Sequence, residues 1–276
     1  MSQANTLMGA LAAGACLAGA LLQGPAQAAS PRDMEVDVEL VLAVDVSYSM
    51  DVEEQALQRE GYASALTSRE FLDALRQGLN GRIAVAYIEW AGENEQQIVV
   101  NWRVIDGPDT ARTYAEAIRA APLRRVYRTS ISGALLYSAD QFDLNGYAGV
   151  RRVIDVSGDG VNNQGPPVAM ARDAVVQRGI TVNGLPLLLK RSASSAIDIP
   201  ELDLYYEDCV IGGPGAFVIP VQHREEFARA IKTKLVLEVA GVQVPDAAGP
   251  IRRVADKAPR ISCTIGEKIW LEHWSN

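Results

Sequence analysis

Short apolar runs alternate with helical repeats along most of the chain. Residues 36–46 begin as an alternation and become continuously apolar, reading Val-Asp-Val-Glu-Leu-Val-Leu-Ala-Val-Asp-Val. A continuous apolar run predicts a strand in a sheet that is covered on both faces. Related patterns predict further strands at residues 82–90, 97–105, 152–157, 180–189 and 216–220.

Helical spacing separates these predicted strands. It covers residues 52–66, 110–121, 131–142, 167–178 and 224–239. In the first of these helices the apolar residues recur on one side, namely Val52, Ala56, Ala63 and Leu66. Glu54 and Gln58 fall on the opposite side, so we expect the apolar side to be the buried one.

Strands that alternate with helices predict an α/β fold with a doubly wound, mostly parallel central sheet flanked by helices. We expect one domain over residues 34–240. Beyond Gly241, residues 241–276 show turn residues and no helical periodicity, which predicts a C-terminal tail. Its apolar residues, such as Trp270 and Trp274, are expected to pack on the domain.

The N-terminal segment differs from the rest of the chain. Residues 1–30 carry no charged side chain, and residues 7–22 form an Ala/Leu/Gly run followed by Ala26-Gln27-Ala28. This pattern predicts a signal peptide over residues 1–28, although Lys and Arg are missing from its start. The run is too short to span a bilayer, so we expect no transmembrane anchor after cleavage and a periplasmic or secreted protein.

Cleavage would remove Cys16 and leave Cys209 and Cys263. An even number of cysteines in an exported chain favours a disulfide, and two buried thiols are the alternative. The formal net charge of -8 and the estimated pI of 4.9 argue against a nucleic-acid partner.

Candidate chemistry lies where the first predicted strand ends, in Asp45-Val46-Ser47-Tyr48-Ser49. Asp45, Ser47 and Ser49 place three hard oxygens in one turn, a set that suits Mg²⁺ or a similar cation. Ligand sites in open α/β sheets form at this carboxyl edge. As an alternative, Ser47, Ser49 or Asp51 is suited to cap the helix that begins at Val52.

Two later segments offer further oxygens at the same predicted edge. Thr129 immediately precedes a predicted helix, and Asp159 immediately follows a predicted buried strand. Three loops that contribute oxygens to one edge favour a metal site over a helix cap.

Together these motifs resemble the metal-ion-dependent adhesion site (MIDAS) of von Willebrand factor A (VWA) domains. The resemblance covers roughly residues 36–239. It implies that Asp45, Ser47, Ser49, Thr129 and Asp159 hold Mg²⁺, with Mn²⁺ or Ca²⁺ as alternatives. Arg128 stands where a glycine often precedes the threonine in this family, and it either places positive charge beside the site or is an ordinary surface residue.

The resemblance implies a protein-binding, adhesion-type function without enzymatic activity. The open metal position would accept a carboxylate from a protein or peptide partner. A metal-assisted hydrolase and a structural envelope protein with a vestigial site are the alternatives. A second similarity, to exported bacterial VWA-like proteins, is suggested by residues 208–217 and names no activity.

Overall fold

The computed structural model describes residues 33–143, 145–189, 199–241, 251–253 and 259–274. Within these residues one sheet contains seven strands. They are β1 (Met34–Asp45), β2 (Ile83–Trp90), β3 (Gln96–Ile105), β4 (Tyr147–Gly158), β5 (Ile180–Pro186), β6 (Phe217–Val218) and β7 (Arg252–Arg253). The predicted signal peptide, residues 1–28, lies outside the described residues.

The strand order is β3-β2-β1-β4-β5-β6-β7. The inner strands run parallel, and β3 and β7 pair antiparallel at the two edges. Strands β2 and β3 therefore lie on one side of β1, and strands β4 to β7 lie on the other. The predicted doubly wound α/β fold is confirmed.

Helices cover both faces of this sheet. They are α1 (Val52–Leu66), α2 (Arg69–Arg76), α3 (Pro108–Ala120), α4 (Ile131–Asp140), α5 (Val168–Gln177), α6 (Leu202–Tyr205), α7 (Phe227–Ala240) and α8 (Ile265–Trp274). A π-helical turn, Tyr206–Val210, follows α6, and a 3₁₀ turn, Arg224–Glu226, precedes α7.

The central strands are buried on both faces because alternate side chains enter two separate cores. On β1, Leu40 and Leu42 join the core formed with α1, α2, α3 and α7. Val41 and Ala43 join the core formed with α4, α5 and the segment around Tyr205. This arrangement explains why residues 40–44 form a continuous apolar run.

Several predicted boundaries are wrong. The tail predicted to lack helical periodicity contains α8, and α2 was not expected. The fourth helix ends at Asp140, β5 ends at Pro186, and the last predicted strand shortens to Phe217–Val218. Both missed helices are short, so few apolar repeats mark them. The side chain of Trp274 lies outside the described part of the chain.

The buried side of α1 also differs from the prediction. Val52 is 53% exposed, whereas Glu54 and Gln58 are buried. The Gln58 amide donates to Ser157 Oγ at 2.7 Å. The first turns of α1 therefore lie over a polar part of the sheet, where a specific hydrogen bond, not apolar character, determines which side is buried.

A buried ionic cluster connects α7 to the sheet. Lys234 Nζ lies 2.7 Å from Asp155 Oδ1 and 2.5 Å from Glu238 Oε1. Asn183 also donates to Glu238, at 2.9 Å. Burial and the neighbouring Glu238 raise the pKa of Asp155 to about 7, because two carboxylates share one ammonium group.

This shift predicts a pH-dependent effect of Asp155→Asn. The unfolded chain ionises Asp155 near pH 3.8, whereas the folded protein holds the proton up to about pH 7. The contribution of this group to stability is therefore full below pH 3.8 and decreases as pH rises to about 7. The side chain of the variant does not titrate. Across this window we therefore expect its free energy of unfolding to rise, relative to that of the unsubstituted protein, by up to about 1.4 kcal/mol per pH unit.

Urea unfolding of both proteins between pH 4.5 and 7.5 measures this difference. Asp109→Asn is the control, because the Asp109 side chain is 91% exposed. A stability difference for Asp155→Asn that stays constant with pH would contradict the assignment.

Candidate metal site

The candidate site lies at the point where the winding of the sheet reverses. β1 and β4 are neighbours, yet the chain continues from them to opposite sides, which opens a crevice at their carboxyl ends. Asp45 is the last residue of β1, and Asp159 follows the last residue of β4. The register, which pairs Val44 with Ser157, brings the ends of the two strands together.

The turn after β1 gathers three oxygen-bearing side chains. Asp45 is fully buried, and its Oδ1 accepts the Ser47 backbone N–H at 2.6 Å. The hydroxyl oxygens of Ser47 and Ser49 lie 2.8 Å apart. Asp51 caps α1 by accepting the Glu54 N–H at 2.8 Å, so the cap does not require either serine.

Asp159 joins this turn from the loop after β4. Ser49 Oγ donates to Asp159 Oδ1 at 2.6 Å. A carboxylate that follows β4 therefore contacts a hydroxyl that follows β1, although 110 positions separate them in sequence.

Thr129 reaches the same place from the loop before α4. A side chain added at Gly160 would place its Cβ 3.6 Å from Thr129 Oγ1, so the threonine lies beside the residue after Asp159. Thr129 N–H donates to Asn163 Oδ1 at 3.1 Å, and Asn163 N–H donates to the Thr129 carbonyl at 2.9 Å. The structure thus brings all five predicted side chains to one edge of the sheet.

Asp45 differs from Glu89 and Asp155, two other buried carboxylates, in its lack of a cationic partner among the described residues. Glu89 pairs with Arg59, and Asp155 pairs with Lys234. Within the described residues, no Lys or Arg pairs with Asp45, and its Oδ2 has no hydrogen-bond donor. Burial raises the pKa of Asp45 well above its usual range, and the nearby Asp159 carboxylate raises it further.

A bound cation would supply the missing positive charge. Among the described residues, His, Cys, Asp and Glu side chains form no metal-binding group of three or more. The gathered set instead combines two carboxylates with three hydroxyls, which are hard oxygen donors that suit Mg²⁺, Mn²⁺ or Ca²⁺. The residues therefore fit the metal that the resemblance implies.

Tyr206 contacts the site from the π-helical turn, and the sequence analysis missed it. A Cβ added at Gly158 would lie 2.8 Å from Asp45 Oδ2 and 2.9 Å from the Tyr206 hydroxyl. The carboxylate and the phenol therefore both face Gly158, and no hydrogen bond joins them. The sequence carries no signal for this approach, because Tyr206 is far from both motifs along the chain.

Arg128 is half-buried and has a specific contact. Its guanidinium carbon lies 3.4 Å from the centre of the Trp270 ring on α8. Its φ of 80° is the single positive value at a non-glycine position in the described part of the chain. This left-handed conformation costs a non-glycine residue about 1–2 kcal/mol, which explains why a glycine suits this position.

The predicted disulfide is present between Cys209 and Cys263. It closes a loop with a sequence separation of 54 residues. Such a crosslink stabilises the folded chain by roughly 4 kcal/mol in the loop-entropy description. No helix in the described residues has the length and apolar character that a membrane crossing requires.

The chain has a VWA-type fold, as its structural neighbours show. The chain belongs to the family described as "Protein of unknown function (DUF1194)", which matches residues 35–243. No curated protein matches the sequence.

Solved structures with similar folds share little sequence with this chain. Proximal thread matrix protein 1 (PTMP1) from the mussel byssus is 15% identical with a TM-score of 0.55, and the match covers 75% of this chain and 49% of PTMP1. The pilus adhesin SpaC from Lactobacillus rhamnosus GG is 13% identical with a TM-score of 0.54, covering 74% of this chain and 30% of SpaC.

A von Willebrand factor type A protein from Catenulispora acidiphila is 14% identical with a TM-score of 0.50, covering 74% of this chain and 42% of that protein. The match therefore spans half or less of each of these proteins. One further PTMP1 structure, 14% identical with a TM-score of 0.52 and covering 75% of this chain and 49% of PTMP1, is described as having a zinc-occupied MIDAS motif.

The close contacts around Gly158 predict that alanine is less well tolerated there than at the nearby Gly160. Gly158→Ala places a methyl group within 3.0 Å of Asp45 Oδ2 and the Tyr206 hydroxyl, so we expect a loss of roughly 1–3 kcal/mol in the free energy of unfolding. Gly160→Ala meets Thr129 at an ordinary 3.5 Å and should change stability by less than about 0.5 kcal/mol. Equal urea midpoints for the two variants would refute this packing.

Proposed function

We propose that this protein is an exported, metal-dependent binding module of the adhesion type. In this proposal Asp45, Ser47, Ser49, Thr129 and Asp159 hold a divalent cation, with Mg²⁺ favoured and Mn²⁺ or Ca²⁺ as alternatives. The cation leaves one position open for an acidic group of a protein or peptide partner. The observation that carries the proposal is a buried Asp45 carboxylate that has one oxygen without a donor among the described residues and lies beside a cluster of hard oxygens.

The donor set itself favours an acidic partner. Three of the five candidate ligands are neutral hydroxyls, so they neutralise little of the charge of a divalent cation. A carboxylate from outside is therefore an attractive additional ligand. The backbone N–H of Ser47 and the Ser49 hydroxyl, which bond to Asp45 and Asp159, hold these carboxylates in place.

Structural neighbours support a binding role. A PTMP1 structure carries a zinc-occupied MIDAS motif, and SpaC is a pilus adhesin. By analogy, the site in this chain would bind a divalent cation and a partner protein. The matched family names no activity.

Binding is favoured over hydrolysis because the serine near the end of β4 is not available as a nucleophile. Ser157 is fully buried, and its hydroxyl accepts a hydrogen bond from Gln58. A metal-assisted hydrolase would need a nucleophile or general base directed at the metal. The third candidate, a vestigial site in a structural envelope protein, predicts that no metal binds.

The disulfide between Cys209 and Cys263 is consistent with export. We propose that residues 1–28 are removed, that residues 34–240 form the VWA-like domain, and that residues 241–276 pack on it. The mature protein would then act in the periplasm or outside the cell, where disulfides persist. The acidic composition gives no support to a nucleic-acid partner.

Isosteric substitutions test the metal site. In Asp45→Asn and Asp159→Asn, we expect Mg²⁺ and Mn²⁺ affinity to fall at least about tenfold, because each change removes a negative charge at the cation. Isothermal titration calorimetry measures the affinity, and circular dichroism checks folding. Asp109→Asn, on an exposed side chain near the opposite edge of the sheet, is the control. Unchanged affinity in both site variants would exclude these residues as ligands.

An aromatic surface borders the candidate site. Tyr48, between the two site serines, stacks on Tyr127 with ring centres 4.5 Å apart. The Arg125 guanidinium lies 4.0 Å from the centre of the Tyr48 ring. Tyr127 remains 69% exposed, so a flat apolar surface lies beside the position proposed for a partner's carboxylate.

This surface predicts that a substitution can weaken partner binding without changing the affinity for the metal. A random peptide array probed in Mg²⁺ should select peptides that contain Asp or Glu, and EDTA should abolish the signal. For a selected peptide, Tyr127→Ala should weaken binding about tenfold without changing Mg²⁺ affinity. Leu79→Ala, 90% exposed before β2, should leave both unchanged. Peptides selected without acidic residues would contradict the proposed recognition.

A further inference from the structure

Helix α8 lies beyond the part of the chain that matches the family, which ends at residue 243. Its side chains nevertheless contact two of the loops that carry the candidate metal ligands. We propose that α8 is a positioning element of the metal site, acting through Trp270 on the Thr129 loop and through Glu267 on the Asp159 loop. This inference rests on the proposed metal-binding function.

The first contact acts on the residue before Thr129. Arg128 adopts a φ of 80°, which non-glycine residues rarely hold without support. Its guanidinium stacks on the Trp270 ring at 3.4 Å from the ring centre. Because Arg128 and Thr129 share a peptide bond, the stack that holds the arginine also restricts where the threonine side chain points.

The second contact acts on the loop that follows β4. Asn162 Nδ2 donates to Glu267 Oε1 at 2.8 Å, and its Oδ1 accepts the Ser132 N–H at 3.0 Å. The next residue, Asn163, exchanges hydrogen bonds with Thr129. Glu267 therefore supports a link between the Asp159 loop and the start of α4.

The start of α8 is itself firmly attached. Cys263, two residues before the helix, is bonded to Cys209 in the π-helical turn. Arg260 Nη2 lies 2.7 Å from Asp208 and 2.8 Å from Glu207 in the same turn. Tyr206, which approaches Asp45 over Gly158, belongs to this turn as well. Because the start of α8 is held in place, the helix can restrict the conformations of the loops that it contacts.

The expected consequence is pre-organisation of the site. Loops that are already held in place lose less conformational freedom when a ligand binds, which increases affinity. Removing the contacts of α8 should therefore weaken metal binding although α8 supplies none of the five proposed ligands.

A double-mutant cycle tests the Trp270 contact. Trp270→Ala should weaken Mg²⁺ affinity about three- to tenfold, as expected for loss of a partly buried cation–π contact. Arg128→Gly removes the guanidinium and accepts positive φ without strain, so adding Trp270→Ala in that background should have little further effect. Lys268→Ala, on the exposed part of α8, is the matched control. Unchanged affinity in Trp270→Ala, or equal effects in both backgrounds, overturns the proposal.

Hydrogen exchange of the metal-free protein provides a readout that does not depend on metal binding. The Thr129 amide, which donates to Asn163, should exchange faster in Trp270→Ala and in the double variant Cys209→Ser/Cys263→Ser. Unchanged protection in both variants refutes the positioning role. Failure of the unsubstituted protein to bind Mg²⁺ would reject the proposed function instead, and the exchange measurement would still decide whether α8 orders the loop.

Discussion

The candidate site depends on one electrostatic constraint: two carboxylates lie close together at the buried end of a parallel sheet. One of them, Asp45, pairs with no Lys or Arg of the part of the chain that the structure describes. β1 and β4 are neighbours, so Asp45 and Asp159 meet at their carboxyl ends. Asp155 and Glu89, which are also buried, each have a cationic partner, Lys234 and Arg59 respectively. Asp45 is instead surrounded by hydroxyls, and the absence of a side chain at Gly158 leaves it room. In the proposed function, a divalent cation would balance this arrangement.

The sheet and the loops at its edge position different residues of the candidate site. The sheet, buried on both faces, places Asp45 and the start of the Asp159 loop through ordinary parallel register. The loops add Ser47, Ser49 and Thr129, whose positions depend on local hydrogen bonds. The disulfide and α8 reach the same region from the other end of the chain. Segments that are distant in sequence thus support the loops that carry most of the candidate ligands.

Sequence patterns could predict the sheet, the main helices and the five candidate ligands, because each depends on local periodicity or a short motif. The boundaries of α1 were predicted correctly from helical spacing, and a capping box of Asp51 and Glu54 fixes its N-terminal end. The burial of Glu54 and Gln58 was missed, since it depends on partners elsewhere in the fold, such as Ser157. The contacts of Tyr206 and of α8 with the site were missed for the same reason, because they exist only in the folded chain.

Anomalous diffraction from crystals of the mature chain soaked in Mn²⁺ tests the central claim most directly. The account predicts a single strong peak among the side-chain oxygens of Asp45, Ser47, Ser49, Thr129 and Asp159. A peak elsewhere on the protein, or none at this edge of the sheet, would contradict it.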